Sequence, residues 1–366
     1  MSEIKTVEHT KDGSVYGQIL QMGHEQLVFC HDEPTGLKAL IAIHNTILGP
    51  ALGGTRLWHY SDESAAITDV LRLSRGMTFK AAISGLNIGG GKAVIIGKPK
   101  MKTEAFLRRF GRFIHSLGGR YITAEDVNFT TADIEYIAME TPYVTGKPEI
   151  KGGGGDPSPI TAFGTYLGMK AAVGFAYGKD TLEGKRILIQ GAGQVGSHLV
   201  KHLIKEGAIV FLTDIFEEKL LSAAKTTGAQ IIQPSDVYDF PMDIYAPCAL
   251  GATLNDQTIP RLTCDIVAGA ANNQLEEEGR HGHLLKDRGI LYAPDFLINA
   301  GGLINVYTEY LGNYKREIAM RQTESIYDMT TAVLSEANEK NLPTQEVAME
   351  IANKRINQIA SIKLAY

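Results

Sequence analysis

One segment restricts the fold of this chain more than any other: a glycine triplet between an apolar stretch and an amphipathic one. Gly191, Gly193 and Gly196 form the pattern GxGxxG, directly after the apolar run RILIQ and just before QVGSHLVKHLIKE. Glycine makes up 39 of the 366 residues, so roughly 0.4 such patterns are expected by chance. The triplet alone is therefore weak, and its strand and helix surroundings are what predict a βαβ unit.

The segment after the triplet completes that unit. Gly207 ends the predicted helix, AIVFLT forms a second apolar strand, and Asp214 ends this strand. A carboxylate about 20 residues after the glycines binds the ribose hydroxyls of a dinucleotide, whose pyrophosphate lies at the helix N-terminus. Because Asp214 would repel a 2′-phosphate, the unit predicts NAD as the cofactor rather than NADP. The predicted cofactor-binding residues of this unit are Gly191, Ala192, Gly193, Gln194, Val195, Gly196 and Asp214.

The rest of the chain predicts an α/β fold with two domains, which its length allows. Residues 1–150 mix strands such as LKALIAIH and KAVIIG with the helical run SDESAAITDVLRLSRGM. The stretch KGGGGDPSP can continue neither a helix nor a strand, so it predicts an interdomain joint. Strands and helices then alternate over 151–329, which is typical of a Rossmann-like, doubly wound parallel sheet that binds NAD. Residues from about 330 to 366 are predicted as helices, broken near Asn341 to Pro343, that complete the first, catalytic domain.

Composition excludes several classes of protein. The net charge is −5 and no long run of Lys or Arg occurs, which argues against nucleic-acid and anionic-membrane partners. The N-terminal segment MSEIKTVEHTKDGS lacks the apolar core of a signal peptide and no long apolar segment follows, so we expect a cytoplasmic protein. Cys30, Cys248 and Cys264 form no CxxC pair, and His281 and His283 alternate in what is predicted as a polar loop, so no metal site is predicted.

A second glycine-rich segment, GLNIGGGKA at 85–93, superficially resembles a phosphate-binding P-loop. Leu86 and Ala93 replace two of the four fixed residues of that motif, which defeats the interpretation. Lys92 instead stands between three glycines and the apolar run AVIIG. An apolar environment would lower its pKa and make it a candidate general base. The alternative is an ordinary solvated lysine.

Several segments, in order along nearly the whole chain, resemble the glutamate, leucine, phenylalanine and valine dehydrogenase family, and within it the enzymes of leucine. They are GPALGGTR, GMTFKAAISGLNIGGGKAVI, YITAEDV, DPSPITAFG, APCALG, AANNQL and INAGGLINV. The resemblance implies reversible oxidative deamination, in which NAD takes a hydride from the α-carbon of an amino acid and water releases a 2-oxo acid and ammonia. It also implies a homo-oligomer, commonly an octamer.

The same resemblance implies three catalytic residues. Lys80 of GMTFK corresponds to the lysine that pairs with the substrate carboxylate, and Lys92 of GGGK to the lysine that activates water. Asp126 of TAED corresponds to the acidic residue that relays protons and stabilises the substrate amine. An aspartate there could instead cap a following turn.

On the cofactor side, the resemblance implies further contacts. Thr161 is expected at the nicotinamide amide and Asn273 near the nicotinamide ring. The turn from Ala246 to Gly251, which contains Cys248 and Ala249, is expected to line the cleft. Ordinary loop packing is the alternative for each of these residues.

The expected substrate pocket contains Leu52, Gly53, Ala124, Leu303 and Val306. Glutamate dehydrogenases place a lysine where this chain has Leu52, so a side-chain carboxylate would find no partner and an aliphatic side chain is favoured. Leu303 stands where leucine enzymes usually have valine and phenylalanine enzymes leucine. We therefore predict oxidation of leucine and other branched-chain amino acids. Phenylalanine or valine oxidation, and a catalytically silent NAD-binding protein, stay open as alternatives.

Overall fold

The contacts of the chain divide it into two units, and one boundary between them, after Gly155, lies in the glycine-rich stretch KGGGGDPSP. The computed structural model describes residues 14–249 and 251–363. The first unit comprises the described residues up to Ala82, Leu86–Gly155 and those from Ile356 onward, and the second comprises Ile83–Gly85 and Asp156–Arg355. Residues 1–13, which contain most of the segment behind the cytoplasmic prediction, lie outside the described residues.

The first unit is built on a mixed sheet. Within the described residues its strands are β1 (Gln26–Asp32), β2 (Leu37–Asn45), β3 (Ala51–Leu52), β4 (Thr55–Trp58), β5 (Gly89–Ile96) and β6 (Tyr121–Ile122). They lie in the order β1-β2-β5-β3-β6, with β4 also paired to β5. Strands β1, β2 and β5 are antiparallel neighbours, whereas β3 and β4 run parallel to β5. The helices of this part of the chain are α1 (Val15–Met22), α2 (Glu63–Ile83), α3 (Glu104–Ser116) and α4 (Thr131–Ala138).

Both faces of this sheet are covered, which explains why LKALIAIH is almost uninterruptedly apolar. Ile41 and its neighbours on one face of β2 belong to a core that includes Phe106 and Phe110 of α3. Leu40 points to the opposite face, into a core with Val70 of α2. The side-chain alternation of a strand divides the run between the two cores.

The second unit contains a parallel sheet. Its described strands are β7 (Arg186–Gln190), β8 (Ile209–Thr213), β9 (Gln230–Ile231), β10 (Ile244–Pro247), β11 (Ile266–Val267) and β12 (Leu291–Tyr292). The order β12-β11-β10-β7-β8-β9, with every pairing parallel, confirms the predicted doubly wound sheet. The chain runs outward from β7 to β9 and then returns to β10 on the other side of β7. Ligands of such sheets bind at this switch point, at the carboxyl ends of the strands.

The helices of the second unit follow the predicted alternation. They are α5 (Ser158–Tyr177), α6 (Gln194–Lys205), α7 (Glu217–Thr227), α8 (Glu278–Asp287), α9 (Asp295–Ile298), α10 (Gly301–Tyr310), α11 (Arg316–Lys340) and α12 (Thr344–Lys363), the last of which continues into the first unit. The predicted break is present, since Asn341 ends α11 with a left-handed φ of 54°. Residues 330–355 group with this unit, whereas the sequence placed about 330–366 in the first domain. Helix α11 packs along α5, where a Cβ on Gly164 would come within 2.7 Å of Ile326.

The predicted polar loop around His281 and His283 is wrong, because both residues lie on α8. Nδ1 of buried His281 accepts a hydrogen bond from the backbone N–H of Glu277 at 2.9 Å, and His283 lies 2.8 Å from Glu346. Few residues of this helix are buried, so the run EEEGRHGH is polar and did not predict a helix. In the described part of the chain, no cluster of His, Cys, Asp and Glu could hold a metal ion. None of the helices described there is long and apolar enough to cross a membrane.

Candidate active site

The glycines of GGGK lie in strand β5 and bring neighbouring strands unusually close together. A Cβ on Gly53 of the segment after β3 would lie 1.7 Å from the carbonyl oxygen of Gly91, and a Cβ on Gly91 would lie 2.8 Å from the Tyr121 ring. An extended strand provides no loop that could surround a phosphate. The glycine run therefore serves packing, and the P-loop interpretation is excluded.

Lys92 follows these glycines and is buried. It pairs with Ala42 across β2 and β5, and only 5% of its surface is exposed. Its Nζ lies 3.0 Å from Oδ1 of Asp126. Burial lowers the pKa of the Lys92 ammonium, although Asp126 opposes the effect. The direction is the one that the sequence predicted.

Asp126 lies in the segment after β6, where two cations approach its carboxylate. Oδ1 contacts Lys92, and Oδ2 accepts a hydrogen bond of 2.9 Å from Nε of Arg56. Burial by itself would raise the pKa of the Asp126 carboxyl, but Lys92 and Arg56 together hold it well below its usual range. Asp126 is therefore ionised, and both oxygens are engaged by cations, rather than by the N–H groups of a helix as in a cap.

Lys80 lies in the last turn of α2. This helix packs against strand β5, which carries Lys92. Thr78, two residues earlier, lies so close to β5 that a Cβ on Gly90 would be 2.2 Å from its Oγ1. Lys80, Lys92 and Asp126 thus all belong to the first unit. The structure brings Lys92 and Asp126 into direct contact.

Three of the expected pocket residues lie beside this pair in the first unit. The Gly53 N–H donates to the carbonyl of Ile122, and the Gly53 carbonyl accepts a hydrogen bond of 2.6 Å from the Tyr121 hydroxyl. Leu52 on β3 and Ala124 after β6 are both buried. The backbone around Leu52 and Gly53 is therefore fixed on both sides.

The other two pocket residues, Leu303 and Val306, lie on α10 of the second unit. They are three residues apart and therefore on the same side of the helix. Both are buried. Asn305 between them accepts a hydrogen bond of 2.6 Å from the Tyr314 hydroxyl through Oδ1.

The glycine triplet of the second unit has the form that a dinucleotide requires. Gly191 has a φ of 122°, a conformation that side chains rarely adopt. A Cβ on Gly196 would lie 2.0 Å from the Gly191 carbonyl oxygen, whereas a Cβ on Gly193 would meet open space. Gly193 begins α6 without a side-chain cap, so the helix presents backbone N–H groups and a positive dipole end there. Ala192, Gln194 and Val195 complete the turn.

Asp214 holds this turn in place. Its Oδ2 accepts the N–H of Ala192 at 2.7 Å and its Oδ1 accepts the N–H of Phe216 at 2.9 Å. A pocket of about 560 Å³ borders the turn, with Gly193 and Lys201 among its lining residues. The arrangement can hold a dinucleotide, with its pyrophosphate at the helix and its ribose at the carboxylate.

The other predicted cofactor residues of the second unit lie in turns and at a helix start. Cys248 donates its N–H to the Gln190 carbonyl at 2.8 Å, and a Cβ on Gly191 would lie 2.8 Å from the backbone nitrogen of Ala249. Asn273, with a φ of 52°, accepts the N–H of Ala252 through its backbone carbonyl. These turns follow β7, β10 and β11, at the carboxyl edge of the sheet. Leu250 of the same motif lies outside the described residues.

Thr161 lies in the first turn of α5. Its hydroxyl donates to the Pro157 carbonyl at 3.0 Å. A Cβ on Gly302 would lie 2.6 Å from this hydroxyl, so Thr161 also contacts the start of α10. The Thr161 hydroxyl at the start of α5 therefore faces Gly302 at the start of α10.

Arg56, which was not predicted as a site residue, joins the predicted Asp126 to a second carboxylate. Arg56 lies on β4 and also contacts Asp69 of α2 at 3.1 Å. The signal in the sequence was an arginine directly after GGT and before the apolar Leu57 and Trp58. Gly54 allows the approach, because a Cβ there would lie 3.0 Å from the Cβ of Asp126.

Comparison with known proteins is consistent with this geometry. Residues 24–143 match the Glu/Leu/Phe/Val dehydrogenase dimerisation domain, and residues 212–362 match the Glutamate/Leucine/Phenylalanine/Valine dehydrogenase domain. The chain is 54% identical to a leucine dehydrogenase of Geobacillus stearothermophilus, over 91% of this chain and 90% of that protein. It is 46% identical to a valine dehydrogenase of Streptomyces virginiae, over 92% and 95% of the two chains. The crystal structure of L-tryptophan dehydrogenase from Nostoc punctiforme superposes with a TM-score of 0.80 at 46% identity, covering 94% of this chain and 99% of that one.

Proposed function

Because the chain belongs to the glutamate, leucine, phenylalanine and valine dehydrogenase family, we propose that it oxidatively deaminates L-leucine and other branched-chain amino acids, with NAD as the cofactor. Membership makes the chain an amino acid dehydrogenase that uses a nicotinamide cofactor. The observation that carries the proposed chemistry is the buried contact between Lys92 and Asp126. A buried amine with a lowered pKa and an ionised carboxylate form a pair that can move protons.

Each residue of the first unit has a distinct role in this proposal. Lys80 binds the substrate carboxylate as a cation. Asp126 accepts a hydrogen bond from the substrate amine and relays its proton onward. Neutral Lys92 removes a proton from water, whose oxygen then adds to the imine carbon, and loss of ammonia leaves the 2-oxo acid. When bound, the nicotinamide accepts the hydride of the α-carbon.

The choice of NAD over NADP rests on Asp214. Its carboxylate is held by two backbone N–H groups, so it cannot easily turn away from a ribose that lies on the glycine turn. Ribose hydroxyls would donate to it, whereas a 2′-phosphate would be repelled. The contacts of Cys248, Ala249 and Asn273 at the carboxyl edge of the sheet support their proposed place at the nicotinamide half. For Thr161, the support is its contact with the start of α10.

The aliphatic substrate class follows from the residues proposed to meet the side chain. Leu52, Ala124, Leu303 and Val306 are all apolar, so a buried substrate carboxylate would lack a partner and cost several kcal/mol. A branched aliphatic side chain would instead gain about 1.5 to 3 kcal/mol by leaving water. Phenylalanine and valine oxidation are the alternatives within the family, and one methylene changes the preference by only about 1 to 3 kcal/mol.

The test is the appearance of NADH absorbance when the purified protein receives NAD with leucine, valine, phenylalanine, tryptophan or glutamate in turn. We expect the highest kcat/KM with an aliphatic substrate and none measurable with glutamate. Preference for an aromatic substrate would contradict the proposed pocket. NADH binding without turnover of any substrate would establish the catalytically silent alternative.

A substitution of Lys92 tests the mechanism. Lys92→Met should lower kcat by about 10²-fold or more, because general-base catalysis is lost, while the Kd for NADH stays within about twofold. Lys100→Met, at an exposed lysine beyond the same strand, is the matched control. Near-normal turnover of Lys92→Met would refute the assignment.

The family match includes a dimerisation domain at residues 24–143. We propose a homo-oligomer in solution, and an octamer by similarity to the family. Light scattering that gave a monomer mass would contradict this. We also propose a cytoplasmic location, which fractionation of the source cells would test.

A further inference from the structure

Arg56 lies at the centre of a charged network in the first unit. Its Nε donates to Asp126 Oδ2 at 2.9 Å, and its Nη1 donates to Asp69 Oδ2 at 3.1 Å. Asp69 also accepts a hydrogen bond of 2.6 Å from the Tyr60 hydroxyl. The chain Tyr60–Asp69–Arg56–Asp126–Lys92 is thus continuous from helix α2 to the proposed catalytic lysine.

The backbone places Arg56 opposite Asp126. The N–H of Thr55 donates to the Ala124 carbonyl at 2.9 Å, and the N–H of Leu57 donates to the Val127 carbonyl at 3.1 Å. Strand β4 therefore runs beside the segment that carries Asp126, and Arg56 occupies the intervening position. Register, rather than a flexible side chain alone, brings the two charges together.

The network balances two cations with two carboxylates. The side chains of Arg56 and Asp126 are 21% and 20% exposed, and that of Lys92 is 7% exposed. Charges at this depth are costly unless they are paired. Removing the guanidinium would therefore leave Asp126 with Lys92 as its remaining cation and Asp69 without its arginine.

A guanidinium suits this position because of its shape and its permanent charge. Its planar fork can contact two carboxylates at once, and it stays protonated at every pH at which enzymes work. One oxygen of Asp126 is thereby fixed on Arg56, and the other is directed at Lys92. A lysine at position 56 could keep the charge but would lose the fork.

The charge of Arg56 also acts on Lys92. Burial lowers the pKa of Lys92, Asp126 raises it, and the guanidinium of Arg56 lowers it again. Asp69, Tyr60 and Tyr121 are further titratable groups that interact with members of this pair or with Arg56. Without Arg56, Asp126 would stabilise the Lys92 ammonium more fully, and neutral Lys92 would form only at higher pH.

We propose that Arg56 is a positioning residue, which holds the Asp126 carboxylate by bridging it to Asp69 and so limits the attraction of Asp126 for Lys92. The inference rests on the proposed function, in which Lys92 acts as a base. It assigns to Arg56 control over the pH range of the reaction. Arg56 itself need not touch the substrate.

The test compares Arg56→Gln and Arg56→Lys in the full-length protein, with Arg112→Gln as the control at an exposed arginine that pairs with Glu140. We expect Arg56→Gln to lower kcat/KM for leucine about 10²-fold at neutral pH and to move the acidic limb of the pH profile upward by about one unit. Arg56→Lys should lower kcat/KM but leave the acidic limb of the pH profile where it is in the parent protein. The Kd for NADH should not change in either variant. An unmoved limb in Arg56→Gln would overturn the proposal, and if that variant does not fold, parent-like rates in Arg56→Lys would do so.

A second measurement separates this inference from the proposed function. The rate at which acetic anhydride acetylates Lys92 is followed against pH by peptide mass spectrometry, which needs no turnover. The labelling midpoint, which is the pH at which the acetylation rate of Lys92 reaches half of its maximum, should lie higher in Arg56→Gln than in the parent. If leucine is not oxidised but the midpoint moves, the proposed function fails and the electrostatic role of Arg56 stands. If leucine is oxidised and the midpoint does not move, the role of Arg56 is refuted.

Discussion

Two effects act in opposite directions on the proton affinity of Lys92. Burial disfavours the ammonium, and the carboxylate of Asp126 favours it. Burial is the larger of the two effects, and the guanidinium of Arg56, which shares the carboxylate, adds to it. The chemistry of this one amine therefore depends on three residues that are distant in sequence.

Asp214 allows a prediction for the cofactor at the residue scale. Asp214→Ser should raise KM for NAD at least about tenfold, because hydrogen bonds to a charged group contribute roughly 1.5 to 3 kcal/mol. The ratio of NADP to NAD efficiency should rise as the repulsion of a 2′-phosphate is lost. Initial rates with both cofactors measure this.

Asp243 provides the matched control for that substitution. It also accepts a backbone N–H, that of Arg186, at 2.7 Å, but it precedes β10 at the opposite edge of the sheet. Asp243→Ser should leave the NADP to NAD ratio unchanged. Equal ratios in Asp214→Ser and the parent would show that Asp214 does not select the cofactor.

At the scale of elements, the two glycine-rich segments have different functions. The segment at 191–196 forms a turn that leads into a helix, whereas the segment at 89–91 is a strand held between close neighbours. The same residue type therefore provides an opening for a ligand in one unit and close strand packing in the other. Only the neighbouring elements distinguish the two cases.

A substitution between β3 and β5 tests this packing. Gly53→Ala would place its Cβ 1.7 Å from the Gly91 carbonyl oxygen, so the strands must separate. We expect a loss of about 3 kcal/mol in unfolding free energy, at the upper end of overpacking effects. Urea unfolding followed by circular dichroism measures it.

Gly76 of α2 is the matched control, because a Cβ there meets nothing within 4 Å. Gly76→Ala should be neutral or stabilise by up to about 1 kcal/mol, since alanine is the better helix former. Similar stabilities of the two variants would mean that β3 and β5 can separate easily, in disagreement with the described packing.

At the scale of the whole molecule, stability should depend on pH through two buried histidines of the first unit. The rings of His24 and His44 lie 4.7 Å apart, and burial lowers their pKa values to about 3 and about 4. The unfolded chain binds these protons near pH 6.5, whereas the folded chain resists them. Stability is therefore full above about pH 6.5 and decreases as the pH falls toward 4.

Unfolding midpoints in urea at pH 7 and pH 5 measure this loss. His44→Gln should reduce the difference between the unfolding midpoints at pH 7 and pH 5, although the variant is less stable than the parent at both. His31→Gln, at an exposed position of β1, controls for the substitution itself. A parent protein equally stable at pH 7 and pH 5 would contradict the prediction.

Much of the fold could be predicted because its signals are local. The strand, turn and helix around Gly191, and the helix break near Asn341, depend on residues that are adjacent in sequence. Helix α8 was missed because its polar surface has little apolar periodicity. The grouping of 330–355 with the second unit depends on packing of α11 against α5 and on contacts of the start of α12 with α8 and β12, which no local pattern records.

The sequence by itself determined the alternation of strands and helices, the glycine turn before Asp214 and the residue types available for catalysis. The tertiary structure decided which charges meet. Lys92 lies on β5, Asp126 in the segment after β6 and Arg56 on β4, and only the sheet register places them within hydrogen-bond distance. Burial and paired charge depend on distance in space, so the proton affinity of Lys92 is a property of the folded unit and not of its motif.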